Sequence, residues 1–344
     1  MRPVCQRANA KTRGMGQGAF IFGCEGLNVT AIEAQFFRDA NPWGFILFAR
    51  NIDTPEQVKR LTHQLRDSVG WHAPILIDQE GGRVQRLRGP HWREFEPPLD
   101  DIHAKSDPKR AMWLRGRLIA DDLASVGIDV NCAPTLDVAS DVTHPFLHNR
   151  CYGTDANGVA TMGRAMVDGM AAGGVAAVMK HMPGHGRGAA DSHKNLPRVT
   201  VSRAELDTDF APFKALNDLS MGMSAHIVME AIDPERPATQ SPDCIDLIRT
   251  EIGFNGLLMT DDISMQALSG TVFERAQKSI VAGCDVVLHC NGDLAEMQTI
   301  ATLGHMTECA QKRADHAAIR RPKVQSLKEQ KIDIEALDAE FQSL

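Results

Sequence analysis

Fourteen residues from Lys180 to His193, reading KHMPGHGRGAADSH, hold one Lys, three His, one Asp and three Gly directly after the apolar run Val175–Met179. Asp191 and His193 stand two apart, so the carboxylate can hydrogen-bond the imidazole and set its pKa. Gly184, Gly186 and Gly188 let the loop curl and turn its polar groups inward. Two further polar clusters also follow apolar runs: Asp78-Gln79-Glu80-Gly81-Gly82-Arg83-Val84-Gln85-Arg86, and Thr260-Asp261-Asp262-Ile263-Ser264-Met265. Carboxylates, Lys, Arg and His with no phosphate loop and no metal-ligand spacing suit a polyhydroxylated ligand. Asp78 can accept from two hydroxyls of one sugar while Lys180 and Arg86 donate to others. Glycosidic cleavage needs a carboxylate for an anomeric carbon of oxocarbenium character and a proton donor for the leaving oxygen. Asp261 is placed for the first task, and His193, steered by Asp191, for the second. The plainer alternative for the 180–193 stretch is a solvated His-rich surface loop.

Each cluster has to be delivered by an element. Eight short apolar runs recur along the chain: Gly18–Gly23, Trp43–Phe48, Pro74–Asp78, Ile128–Cys132, Val175–Met179, Met221–Ala225, Gly256–Thr260 and Asp285–His289. None alternates cleanly with polar residues, the pattern of parallel strands buried on both faces. Helical signals fill the intervals. Thr54-Pro55 opens a helix carrying Leu61, Leu65 and Val69. Lys109–Val126 and Asn157–Ala172 are amphipathic and closed by glycine. Ser202 to Glu205 reads as a capping box, and Phe273–Val281 is a short helix before Gly283. Eight strand–helix units predict a single (β/α)₈ barrel with its functional groups at the strand C-terminal ends. An open doubly wound sheet is the runner-up, but Gly23-Cys24-Glu25-Gly26 is not its phosphate fingerprint. The expected layout is an N-terminal arm (1–15), a catalytic barrel (16–305) and a charged, helical C-terminal extension (306–344) packed on it.

The chain has 344 residues, 43% hydrophobic and 24% charged, with net charge −7. That is ordinary for a globular protein and gives no support to a nucleic-acid surface. No stretch reaches 18 uncharged apolar residues, and the basic N-terminus lacks an apolar signal core. The eight cysteines lie far apart and mostly within apolar runs, which suits buried reduced thiols. A cytoplasmic enzyme is expected, acting on a small carbohydrate without nucleic acid, membrane, metal or cofactor, as a monomer or weak homodimer.

Competing roles are weighed residue by residue. Of the paired Asp261 and Asp262, one is expected to cap the following helix, and Asp262 takes that structural part. Asp78 is alternatively a partner of Arg83 or Arg86, His226 alternatively a core histidine, and Glu80 a brace for the Gly81-Gly82 turn.

The three clusters together resemble the family 3 glycoside hydrolases, and in particular their single-domain β-N-acetylglucosaminidases. Smaller echoes are Gly44–Asn51 and Asn131–Val138, and the resemblance spans roughly residues 15–300. It implies a TIM barrel and a two-step retaining mechanism, with Asp261 forming a covalent glycosyl-enzyme. His193, assisted by Asp191, acts as general acid and then general base. Asp78, Arg86, Arg150, Lys180 and His181 are implied to bind N-acetylglucosamine, and peptidoglycan fragments (GlcNAc-anhydroMurNAc-peptides) to be the substrate. Met182 replaces the usual Phe, and the N-terminal arm is somewhat longer than usual. Alternatives are a family 3 β-glucosidase or glycoside phosphorylase, a metal-dependent barrel hydrolase using His181, His185, His193 and Asp261, and a non-catalytic sugar-binding barrel. The short chain and its Asp-Ser-His tail favour the N-acetylhexosaminidase.

Overall fold

A computed structural model of the protein describes residues 16–189, 196–321 and 332–344. Its barrel strands are β1 (Gly18–Gly23), β2 (Pro42–Leu47), β3 (Ile75–Ile77), β4 (Val130–Asn131), β5 in two pieces (Ala176–Ala177 and Met179–Met182), β6 (Met221–Ser224), β7 (Leu257–Asp262) and β8 (Val286–His289). Neighbouring strands pair in parallel throughout. The first piece of β5 pairs with β4 and the second with β6, so the interrupted strand is both ends of the hydrogen-bonded order. The sheet therefore closes through β5 as the expected eight-stranded barrel.

The runs foresee these strands with two functional displacements. β7 runs on past Thr260 to include Asp261 and Asp262. β5 runs on to Met182, so Lys180 and His181 belong to the strand and not to the loop after it. The helices between strands are α1 (Ala31–Ala40), α2 (Pro55–Val69), α3 (Pro98–Ala104), α4 (Pro108–Ser125), α5 (Pro145–His148), α6 (Ala156–Ala172), α7 (Leu206–Ala215), α8 (Pro242–Thr250) and α9 (Val272–Ala282). Thr54 caps α2 through the Gln57 amide, with Pro55 in its first turn, as its sequence predicts. The Ser202–Glu205 box forms only in part: the Glu205 carboxylate accepts from the Ser202 amide and hydroxyl, but the Glu205 amide donates to the Ser202 carbonyl, which ties a turn just ahead of α7 at Leu206.

The barrel interior is apolar. Ile21, Ile46, Leu76, Val130, Val178, Met223, Met259 and Val286 share one buried cluster. After β8 come α10 (Leu294–Ala301), α11 (Glu308–Arg320) and α12 (Ile334–Ser343). Ala314 and Ala317 of α11 belong to that interior cluster and are fully buried. Two small side chains let the helix sit close against the N-terminal end of the barrel, where Arg313 bonds Asp285 at 2.8 Å. α12 docks on α4: Arg110 donates twice to Glu340 at 2.7 Å, and the buried Phe341 packs toward Phe95. Cys24, Cys132, Cys151, Cys244, Cys284 and Cys290 are free and buried. Among the described residues no helix is long and apolar enough to cross a membrane.

Candidate active site

The C-terminal mouth of the barrel holds a cavity of about 500 Å³, in the range of small-ligand sites. Its lining includes Asp78, Arg86, Arg150, Lys180, His181 and Asp261, six of the eight residues singled out from sequence. Asp191 and His193 lie outside the described residues.

Asp78 follows β3, where the chain leaves the sheet. It accepts from Lys180 Nζ at 2.9 Å and from Arg86 Nη2 at 3.2 Å. The alternative partner Arg83 instead lies over the Phe146 ring, 3.5 Å from its centroid. Burial works against the Asp78 carboxylate, but Lys180 and Arg86 outweigh it and hold the group well below the usual range. Lys180 is 2% exposed. Burial alone would lower its pKa, and the carboxylates of Asp78 and Glu80 raise it instead, so the ammonium stays charged.

Glu80 does more than brace a turn. Its carboxylate takes Arg150 Nε at 2.8 Å and Nη2 at 2.9 Å, and Lys180 Nζ approaches at 2.6 Å. Against the cost of burial, these two cations hold it down to about 2. Arg150, in the α5–α6 connection, is thereby carried into the site from a loop whose role no spacing announces.

Asp261 ends β7. One of its oxygens accepts from the Asp262 amide at 2.8 Å. Burial would raise this carboxyl, but the His181 and His226 imidazoles and that amide pull it below the usual range. Asp262 is structural, but it holds a turn and caps no helix, since the next helix starts at Val272 and is capped by Thr271: it accepts from Ser264 Oγ at 2.6 Å, from the Ser264 amide at 3.0 Å and from the Cys290 amide at 3.2 Å. His226 is fully buried and donates Nε2–H to the Asp262 carbonyl at 3.0 Å. It is both a core histidine and a neighbour of Asp261.

Sequence reasoning assigned Asp137 no role. This fully buried carboxylate, in the β4–α5 connection, accepts from His181 Nδ1 at 2.7 Å and from the His185 amide at 2.6 Å. Its signal lay in the Asn131–Val138 echo, which carried no spacing rule of its own. The glycines after β5 are needed for different reasons. Gly184 has φ +143°, whereas Gly186 approaches the Val138 carbonyl so closely that a Cβ would lie 1.8 Å from it. Among the described residues no group of three His, Cys, Asp or Glu is arranged to hold a metal ion.

Residues 23–324 match the model of the glycosyl hydrolase family 3 N-terminal domain. A β-hexosaminidase of Alkalilimnicola ehrlichii is 38% identical over 288 residues, covering 80% of this chain and 81% of its own. One from Bordetella avium is 35% identical over 290 residues, covering 81% of this chain and 82% of its own. Among solved structures, NagZ from Neisseria gonorrhoeae in complex with N-trifluoroacetyl-D-glucosamine superposes with a TM-score of 0.84 at 29% identity, covering 94% of this chain and 97% of that one. The chain belongs to glycosyl hydrolase family 3. It is a glycoside hydrolase of the β-hexosaminidase type, built on the NagZ-like barrel.

Proposed function

We propose that the protein is a retaining exo-β-N-acetylglucosaminidase that removes terminal non-reducing GlcNAc from peptidoglycan fragments, GlcNAc-β-1,4-anhydroMurNAc-peptides. The observation that carries this reading is the cavity itself: one depressed carboxylate, Asp261, faces a cluster of hydroxyl-binding charges, Asp78, Arg86, Arg150, Lys180 and His181. The neighbour solved with an N-acylated glucosamine analogue supports a hexosamine as occupant.

The proposed chemistry has two steps. The Asp261 carboxylate attacks C1, and the C1–oxygen bond to the leaving group breaks as that oxygen takes a proton from His193. The imidazole, now neutral, removes a proton from water, whose oxygen displaces Asp261 from C1 and restores the anomeric configuration. Asp191 orients His193 and stabilises its charged form. A histidine base avoids a second anion beside the nucleophile. The same reading takes residues 16–305 as the catalytic unit, 1–15 as an arm and 306–344 as a docked extension. It places the enzyme in the cytoplasm as a monomer or weak homodimer.

The test is hydrolysis of p-nitrophenyl β-GlcNAc with proton NMR of the first product. β-GlcNAc appearing before mutarotation supports retention; α-GlcNAc refutes it. Mass spectrometry after a 5-fluoro-GlcNAc-type trap locates the sugar, and a label on any residue but Asp261 overturns the assignment. His193→Ala should lose less rate on an aryl glycoside, whose leaving group needs no proton, than on a natural disaccharide. Equal losses remove the acid role.

A further inference from the structure

Glu80 is 1% exposed and is not among the residues that line the cavity, yet two of the lining cations end on it. Arg86, Asp78, Lys180, Glu80 and Arg150 form a row of alternating charge, linked at 3.2, 2.9, 2.6 and 2.8 Å. The carboxylate of Glu80 thus occupies Nε and Nη2 of Arg150 and pairs with the charge of Lys180.

Its backbone is fixed from the other side. The Glu80 amide donates to the Val84 carbonyl at 2.8 Å, and its own carbonyl accepts from Arg115 Nη2 at 2.6 Å. The guanidinium of Arg115 is completely buried and is paired with Asp101. Gly81 leaves room for it: a Cβ there would lie 1.9 Å from Arg115 Nη2. A buried charge network is a poor source of stability, because desolvation offsets the attraction. An apolar residue would fill the space as well. It could not fix which donors of two flexible cations remain for a ligand.

We propose that Glu80 is a positioning residue for the glycone. By engaging one edge of Arg150 and holding the Lys180 ammonium in an ion pair, it leaves their remaining donors pre-aimed into the cavity, so the sugar meets a rigid array and does not have to order it. This rests on the reading that Arg150 and Lys180 hold the hexosamine.

The experiment compares wild type and Glu80→Gln on p-nitrophenyl β-GlcNAc, with inhibition by free GlcNAc and thermal unfolding measured alongside. KM and the GlcNAc inhibition constant should rise together by about 10- to 100-fold, the cost of losing hydrogen bonds to a charged group, while kcat changes by about threefold or less. A purely structural role predicts instead a lower unfolding midpoint and a smaller active fraction at unchanged KM. If Glu80→Gln does not fold, Glu80→Asp keeps the charge but is one methylene too short to reach both cations, and the same rise in KM is expected. A folded variant of either kind whose KM stays within about twofold of wild type overturns the proposal. Wild type inactive on GlcNAc glycosides would instead overturn the underlying reading.

Discussion

His181 Nδ1 lies 2.7 Å from Oδ2 of Asp137, and Asp137 has no exposed surface. The hydrogen bond keeps the ring proton on Nδ1 and leaves Nε2 as the nitrogen that faces the cavity. An imidazole beside the Asp261 carboxylate is therefore oriented by a residue outside the cavity lining.

Replacing Asp137 by Asn should keep the shape but present an NH₂ group where an acceptor is required. We expect kcat/KM to fall by about 100-fold or more, because the ring either turns or changes tautomer. Asp137→Ala should in addition lose about 3 kcal/mol of stability, since it strands buried N–H groups at about 1–3 kcal/mol each. Urea unfolding alongside steady-state kinetics separates the two effects.

Asp261→Ala should eliminate turnover, by about 10⁴-fold or more, with stability within about 1 kcal/mol of wild type. The side chain ends a strand and accepts one hydrogen bond from its neighbour's amide, so little packing is lost. Substantial activity in a folded Asp261→Ala preparation removes this residue from the mechanism.

His185 gives a pH test. Burial pushes its pKa down to about 4, and both ring nitrogens are buried without a hydrogen bond. With the folded value below the unfolded one of about 6.5, the unfolded chain binds more protons between the two. Stability is therefore full above about pH 6.5 and is lost as pH falls toward 4, by at most about 3 kcal/mol from this group. His185→Gln should flatten that part of the stability profile. Parallel profiles for the two proteins from pH 7 to pH 4 would refute the assignment.

Gly81→Ala should be severely destabilising. The position has φ +105°, and the added methyl would collide with the Arg115 guanidinium that supports Glu80. A cost of about 3 kcal/mol or more follows from strain together with a broken buried pair. Soluble yield and unfolding midpoint measure it.

The barrel was legible because buried parallel strands announce themselves as apolar runs; Gly18–Gly23 matches its strand end for end. Helix α1 was not named, although Thr30 and Glu33 form a full capping box, because only Phe37 on its inner face marks an apolar stripe clearly. The end of β5 was misjudged at Lys180 since a charged residue reads as loop, whereas here its ammonium is matched by Asp78 and Glu80, which follow β3. Asp78, Arg86, Lys180, His181 and Asp261 stood in motifs contiguous with strands and could be gathered to one face by topology alone. Arg150 could be placed only by family resemblance. Asp137 and Glu80 act through other side chains, and partnerships between residues 44 and 70 positions apart leave no periodic trace.

Helix α11 gives the barrel a stopper. With Ala314 and Ala317 wedged into the far end, that end of the well is blocked among the described residues. On the proposed reading, a polymer can offer only its tip, and the freed monosaccharide has to back out before another guest comes in. Turnover should thus slow as GlcNAc accumulates, and a longer glycan should be shortened one unit at a time.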